Sequence, residues 1–277
     1  MAENFDISIP KSLILDEDKK HDSLNFDLLE NKVILGLVGY AKSGKDTIAA
    51  KFIKDFGFHR VAFADNVKKE MNQHMKNLIY EDINFLIAPV EPTYLKLEDI
   101  DFTTENLDLK LRLRPYIIWY AELMRKLNGA YYWINKAFEN DADGFDKIVI
   151  TDVRRLKELD IFEDSNSFRK KSEMSFASVG HFPEHIVSKS KKVKSYSSLL
   201  FYVNQYGLLD DDTLTKETIL KAQEKWMIDD TFYIDSRLPK NDIVRNSSID
   251  NQIKKISDKF GIKKPDHTIS KKQLKMF

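Results

Sequence analysis

The chain has 277 residues, with 44 Lys plus Arg balanced by 44 Asp plus Glu and no cysteine. Zero formal charge removes any global field that would draw it onto nucleic acid or an anionic membrane, so a polyanionic partner would need a local patch; the lack of cysteine excludes disulfides and thiol chemistry. No apolar run approaches the ~20 residues of a bilayer span, and the acidic N-terminal residues lack the apolar core of a signal peptide, so a cytoplasmic setting is expected.

Residues 1–30 are polar and charged, with scattered apolar positions such as Leu13, Leu15 and Leu29, and read as an extension wrapping the surface. Val33 to Val38 then form an apolar run of strand character, which flows into Gly39-Tyr40-Ala41-Lys42-Ser43-Gly44-Lys45-Asp46-Thr47. Glycines at this spacing let backbone N–H groups crowd around a triphosphate, a helix starting near Lys45 presents its positive dipole end, and the lysine adds a mobile point charge. Ile48, Ala49, Phe52, Ile53 and Phe56 fall on one helical face after the loop, so both flanks fit a phosphate-binding loop better than a glycine-rich turn that happens to hold a lysine. The position after the lysine usually carries a hydroxyl that ligates magnesium. Here it is Asp46, with Thr47 one step later, and which of the two meets the metal stays open.

Further along, His59 to Phe63 reads as a short second strand, and Ala64-Asp65-Asn66 as the cap of a helix from Val67 to about Leu78. Residues 81–110 are acidic and irregular, with Pro89 and Pro92. Pro115 to Glu139 reads as two aromatic-rich helices broken at Asn128-Gly129. Lys147 to Asp152 has the pattern of a buried parallel strand ending in an acid, followed by a helix through about Phe162. Residues 164–200 turn lysine- and serine-rich, including the lysines of 189–194, and are expected to be mobile. A helix at Thr215–Met227, strands at Thr231–Asp235 and Asp242–Arg245, and a helix at Ile249–Phe260 complete the core, before a basic tail from Lys263. Alternation of strands and helices behind a phosphate loop implies an α/β fold with a parallel sheet covered on both faces and the active site along the strands' carboxyl ends.

Phosphoryl transfer asks for positioning and charge neutralisation more than for a covalent partner. Asp152, at the end of an apolar strand, is placed to hold a magnesium-bound water, with Arg154 facing a phosphate. Helix capping by Asp152 and a surface pair of Arg154 with Glu158 form the plainer reading. Arg112 and Arg114 before Pro115, with Arg125 beyond, sit near aromatics and suit a forked grip on a monophosphate, although solvated arginine is the commoner fate. The six histidines show no ligand spacing.

The loop with aspartate after its lysine resembles that of the bacteriophage deoxynucleoside monophosphate kinases, and further elements follow in the same order: Phe63-Ala-Asp-Asn-Val-Lys68, the Arg112 to Trp133 stretch, Asp152-Val-Arg154 with Glu158, and Asp242-Ile-Val-Arg-Asn246. The resemblance covers about 33–163 and 237–260. It implies a P-loop kinase-type domain over 31–262, with a helical acceptor-binding region over 81–140, a long lid-like insertion over 164–230 and a tail over 263–277. It implies that Gly39 and Lys42, Ser43, Gly44, Lys45, Asp46 and Thr47 hold ATP and that Lys68, Arg114, Trp133, Asp152 and Arg154 contact the acceptor nucleotide or organise its magnesium. Arg237, or the lysines of 189–194, would replace the family's lid arginine. Tyr120-Ala121 stands where the family carries a Gly-Thr pair, and Ala41 where it carries a basic residue, which leaves the accepted base undefined. The expected function is magnesium-dependent transfer of the γ-phosphoryl of ATP to a (deoxy)nucleoside monophosphate, catalysed by Lys45, Asp152 and Arg154, with Asp46, Thr47 and Asp152 about the metal and Arg112, Arg114, Arg125, Arg154 and Glu158 at the acceptor. A homodimer is compatible with the chain, membrane partners are not expected, and nucleic acid is disfavoured. The rivals are a kinase for another acceptor, such as a modified base in DNA or a small alcohol, and a non-catalytic nucleotide-binding switch.

Overall fold

A computed structural model describes residues 13–77, 101–163, 196–206, 213–225, 227–235 and 237–265. The readings of 1–12, of 81–100, of 164–195 with its lysines, and of the tail from 266 lie outside the described residues. The chain divides into two compact units, one of residues 1–28 and 62–141 and one of residues 29–61 and 142–277.

The second unit is built on a wholly parallel five-stranded sheet of β1 (Val33–Val38), β2 (His59–Val61), β3 (Lys147–Val153), β4 (Ser197–Tyr206) and β5 (Ile228–Asp235), in the order β2-β3-β1-β4-β5. Near-continuous Val, Ile and Leu in β1 and β3 suit strands buried on both faces. One face packs on α1 (Lys45–Phe56) and α6 (Ile243–Phe260), where Leu35, Leu37, Val149, Phe201, Val203, Phe232 and Ile234 meet Ile48, Ala49, Phe52, Phe56, Ile249, Ile253 and Ile256. At its centre Phe201 meets Phe232 edge-on, with ring centroids 5.6 Å apart; each fully buried side chain of this size contributes about 1.5–3 kcal/mol by leaving water. On the opposite face, α5 (Thr213–Glu224) packs against β1 and against a 3-10 turn, Leu156–Leu159.

Because β1 lies between β3 and β4, the chain turns to one side after β1 and to the other after β3. Its carboxyl end is therefore the topological switch point, the place where open α/β sheets leave a crevice for ligands.

The other unit is helical, with α2 (Phe63–Asn77), α3 (Leu107–Asn128) and α4 (Tyr132–Asn140) around a core that includes Val67, Met71, Leu113, Tyr116, Tyr120, Met124 and Trp133. The segment from Leu13 to Asn25 is stitched to this core by two buried asparagines. Asn128 accepts from the Leu15 N–H at 2.7 Å and donates to the Leu13 carbonyl at 2.8 Å, while Asn135 accepts from the Asn25 N–H at 3.0 Å and donates to the Ser23 carbonyl at 3.0 Å.

Several expectations are corrected. Ser197–Tyr206, read as part of an insertion, is a strand whose residues Ser197 to Tyr202 pair with the whole of β1. Asp242–Arg245 is not a strand: Asp242 caps α6 by accepting the Arg245 N–H at 3.0 Å, so that helix starts six residues before Ile249. The second strand stops at Val61, and α2 starts at Phe63 rather than Val67, with Asp65 in its first turn. Pro115 lies inside α3 instead of opening it; the helix is started by Asn106, whose side chain accepts the Leu109 N–H at 3.1 Å. Ile53, placed on the buried face of α1, is 38% exposed.

Candidate phosphate-binding site

The site begins where β1 runs out. Gly39 has φ of +158°, and a Cβ there would lie 2.5 Å from the backbone carbonyl oxygen of Val203 on β4, so the loop crosses β4 at a distance only glycine allows. Gly44, at φ +97°, starts α1 from a left-handed conformation, and a Cβ there would meet Ile234 Cδ1 at 2.4 Å. Lys42 is also left-handed, at φ +63°. Backbone that alternates in this way turns successive N–H groups toward one centre, the geometry that cradles anions.

Lys45 is the first residue of α1 and is 6% exposed. Its ammonium donates to the Gly39 carbonyl at 2.7 Å and to the Tyr40 carbonyl at 2.6 Å. The charge is thus held over the loop by weak neutral acceptors, which the oxygens of a phosphate would replace with stronger, charged ones. Ser43 is buried; Asp46 is exposed, while Thr47 is half-buried.

Asp152 comes from the neighbouring strand. Val38 pairs with Val153, and a bulge between Gly36 and Val38 sets both Thr151 and Asp152 against Leu37. The acid is thereby carried at the carboxyl end of β3, beside the end of β1 where the loop starts. Asp46, Thr47 and Asp152 offer oxygen donors only, a set that suits a hard divalent cation retaining part of its water shell. Among the described residues, no group of three or more His, Asp or Glu side chains converges as a ready-made metal cage.

Arg154 follows directly. Glu158 is 5% exposed and accepts the main-chain N–H groups of Arg154 at 2.6 Å and Arg155 at 2.9 Å. That corrects its reading as an acceptor-binding residue or a surface partner of Arg154, since its carboxylate shapes the turn after β3. Arg237 is paired with Asp235 through a fork, Nε to Oδ1 at 2.9 Å and a terminal nitrogen to Oδ2 at 2.7 Å, which holds the Asp235 carboxyl down to about 2. The Arg237 side chain is 75% exposed.

The remaining candidates belong to the helical unit. Arg112 and Arg114 are exposed on α3. Arg125 pairs with Glu122 at 3.2 Å and Lys68 with Asp65 at 3.6 Å. Trp133, expected to contact a nucleotide, is 1% exposed and donates its indole N–H to the Ala121 carbonyl at 3.0 Å, so it is a core side chain.

Sequence reasoning missed a polar network in the same unit. Glu70, 6% exposed, accepts from the Tyr120 hydroxyl at 3.1 Å, from the Tyr132 hydroxyl at 2.9 Å and from the Lys136 ammonium, while Tyr120 also bonds His74 Nδ1. Burial, reinforced by Glu70, pushes both tyrosine hydroxyls well above their ordinary pKa, and burial lowers that of His74. Glu70 with His74, and Tyr132 with Lys136, are each four apart on one helix, but the contacts that join the three helices have no local spacing, so no signal in the sequence assembled the network.

The chain matches no known family and no curated protein. Among solved structures it is similar in arrangement to a Thermus thermophilus protein (12% identity, TM-score 0.36, 82% of this chain and 97% of that one). It is likewise similar to a sugar kinase from a Janibacter species (12%, 0.28, 83% and 97%) and a gluconokinase from Sinorhizobium meliloti (11%, 0.24, 83% and 98%). Likeness at this level carries no argument about activity.

Proposed function

We propose that the protein is an ATP-dependent kinase that phosphorylates a (deoxy)nucleoside monophosphate to the diphosphate. The observation that carries this reading is the Lys45 ammonium poised over the loop carbonyls of Gly39 and Tyr40, beside a strand that carries Asp152 near its carboxyl end. In the reaction, an oxygen of the acceptor phosphate attacks the γ-phosphorus of ATP, the bond from that phosphorus to the β,γ-bridging oxygen breaks, and ADP leaves. Lys45 exchanges its two carbonyl partners for β- and γ-phosphate oxygens, and the loop N–H groups take the remaining charge. Asp46, Thr47 and Asp152 would hold magnesium, which when bound neutralises charge on the transferring phosphates. Arg154, on the sheet unit, is the candidate grip for the acceptor phosphate; the resemblance to phage kinases supports a nucleotide there.

ADP release measured with each of the four deoxynucleoside monophosphates tests this. Turnover that requires one or more of them is the expected result. ATP binding with no turnover on any of the four would overturn the acceptor assignment and favour the rival acceptors.

A further inference from the structure

We infer that Thr218 and Glu158 are positioning residues that clamp the main chain of Arg154 so that its guanidinium is held ready for a phosphate. The inference rests on the kinase reading only for the identity of the molecule that carries the phosphate.

The two clamping groups come from different elements of the sheet unit. Thr218 sits on α5, is 0% exposed, and its hydroxyl lies 2.6 Å from the Arg154 carbonyl oxygen and 2.9 Å from that of Leu214, one turn earlier. A threonine inside a helix ordinarily spends its proton on the carbonyl four residues back. Here the shorter contact is to the residue following β3, so α5 is tied to the strand end. On the other side of the same residue, the Arg154 N–H donates to Glu158 Oε2 at 2.6 Å, and the adjoining Arg155 N–H reinforces the turn at 2.9 Å. Both polar groups of the Arg154 backbone are therefore fixed by buried side chains, an arrangement in which neither φ nor ψ of Arg154 can change without breaking a buried hydrogen bond.

The side chain contrasts with its backbone. Arg154 Nε is buried and has no hydrogen-bond partner among the described residues. A guanidinium N–H removed from water and left unsatisfied is unfavourable unless a partner arrives, and the planar fork of arginine matches phosphate oxygens. Arg154 also lies one residue beyond Val153, the partner of Val38 at the mouth of the phosphate loop. A rigid backbone with an open donor is what pre-organised recognition of an anion requires, because the ordering has been done before the ligand binds.

The test is a double-mutant cycle of Thr218→Val and Arg154→Ala, read in two ways on the full chain: KM and kcat for the best monophosphate acceptor, and affinity for inorganic pyrophosphate by calorimetry. If Thr218 acts through Arg154, Thr218→Val weakens both readouts about tenfold when Arg154 is present and changes neither when it is alanine. Thr218→Ser, which keeps the hydroxyl, restores both. A defect of Thr218→Val that persists in the Arg154→Ala background, or that Thr218→Ser fails to rescue, overturns the clamp, as does a Thr218→Val protein equal to wild type. If no monophosphate is turned over yet the cycle holds for pyrophosphate, the kinase reading falls and the clamp stands. If turnover is normal and the cycle shows no coupling, the reverse is true. A wild-type chain with neither pyrophosphate binding nor turnover overturns both.

Discussion

The Lys45 ammonium lies 2.7 Å from the carbonyl oxygen of Gly39, six residues earlier, so one side chain spans the phosphate loop from its last residue back to its first. In this position it closes the loop on itself. On the kinase reading proposed above, replacing it removes a charge directed at the transferring group without opening the apolar core. Lys45→Ala is expected to lower kcat by about 10²–10³-fold or more, the cost of deleting one pre-organised electrostatic contact. Its thermal midpoint should stay within a few degrees of wild type. Rates near wild type, measured by ADP release, would refute the assignment of Lys45.

Gly39→Ala probes the loop from the opposite end. The added Cβ would lie 2.5 Å from a backbone carbonyl, that of Val203, and a main-chain atom in a central strand cannot rotate away as a side chain can. The loop must lift off β4. Affinity for ATP, measured by calorimetry, should fall at least about tenfold through the displaced N–H groups, and stability by about 1–3 kcal/mol through strain. Unchanged ATP affinity would show that the loop geometry does not set binding.

Asn128→Ala tests whether the N-terminal segment is integral. Asn128 is fully buried, and its loss leaves the Leu15 N–H and the Leu13 carbonyl without partners. At about 1–3 kcal/mol for each of the two stranded groups, the variant should lose about 2–6 kcal/mol in urea unfolding. A loss under 1 kcal/mol would indicate that the segment contributes little to the fold.

What was legible in the sequence follows from how local each signal is. β1, the loop and the start of α1 occupy consecutive residues, and the bounds of β1 and the start of α1 were legible there; β3 was read from its apolar run up to Asp152, one residue short of its end at Val153. β4 was missed because Ser197, Ser198, Asn204 and Gln205 break the apolar pattern and a lysine-rich run precedes it, although Leu200, Phe201 and Val203 are fully buried. The pairing with β1 that makes it a central strand is not a local property. Pro115 misled for a related reason: proline disfavours a helix interior by removing one hydrogen bond, but it is exposed here and the packing of α3 outweighs the loss. The clamp on Arg154 was invisible because Thr218 lies 64 positions downstream.

The helical unit should weaken in acid through His74. Its ring contacts the Tyr120 hydroxyl, and the charged groups that act on it are Glu70 and Lys136. Burial lowers its folded pKa below the ordinary value of 6.5, while Glu70 partly opposes that shift. In the window below 6.5 the unfolded chain binds the proton more readily, so stability is fully present above pH 6.5 and is lost as pH falls toward the folded value. Melting curves between pH 8 and pH 5 should show a decline that is shallower in His74→Asn. Parallel declines in the two proteins would remove His74 as the cause.

The position of β1 has a consequence for how the chain is made. Val33–Val38 is the hub of the sheet, yet its two flanking partners, β3 and β4, lie more than a hundred residues downstream. At ribosomal speeds of about 5–20 residues per second, the first-made strand waits roughly 10–30 s for its second neighbour. During that interval an apolar ribbon leading into the glycine-rich loop emerges with both edges open, the kind of exposed strand on which nascent chains aggregate. Yield on overexpression should be limited by synthesis and capture of this ribbon more than by the stability of the finished sheet.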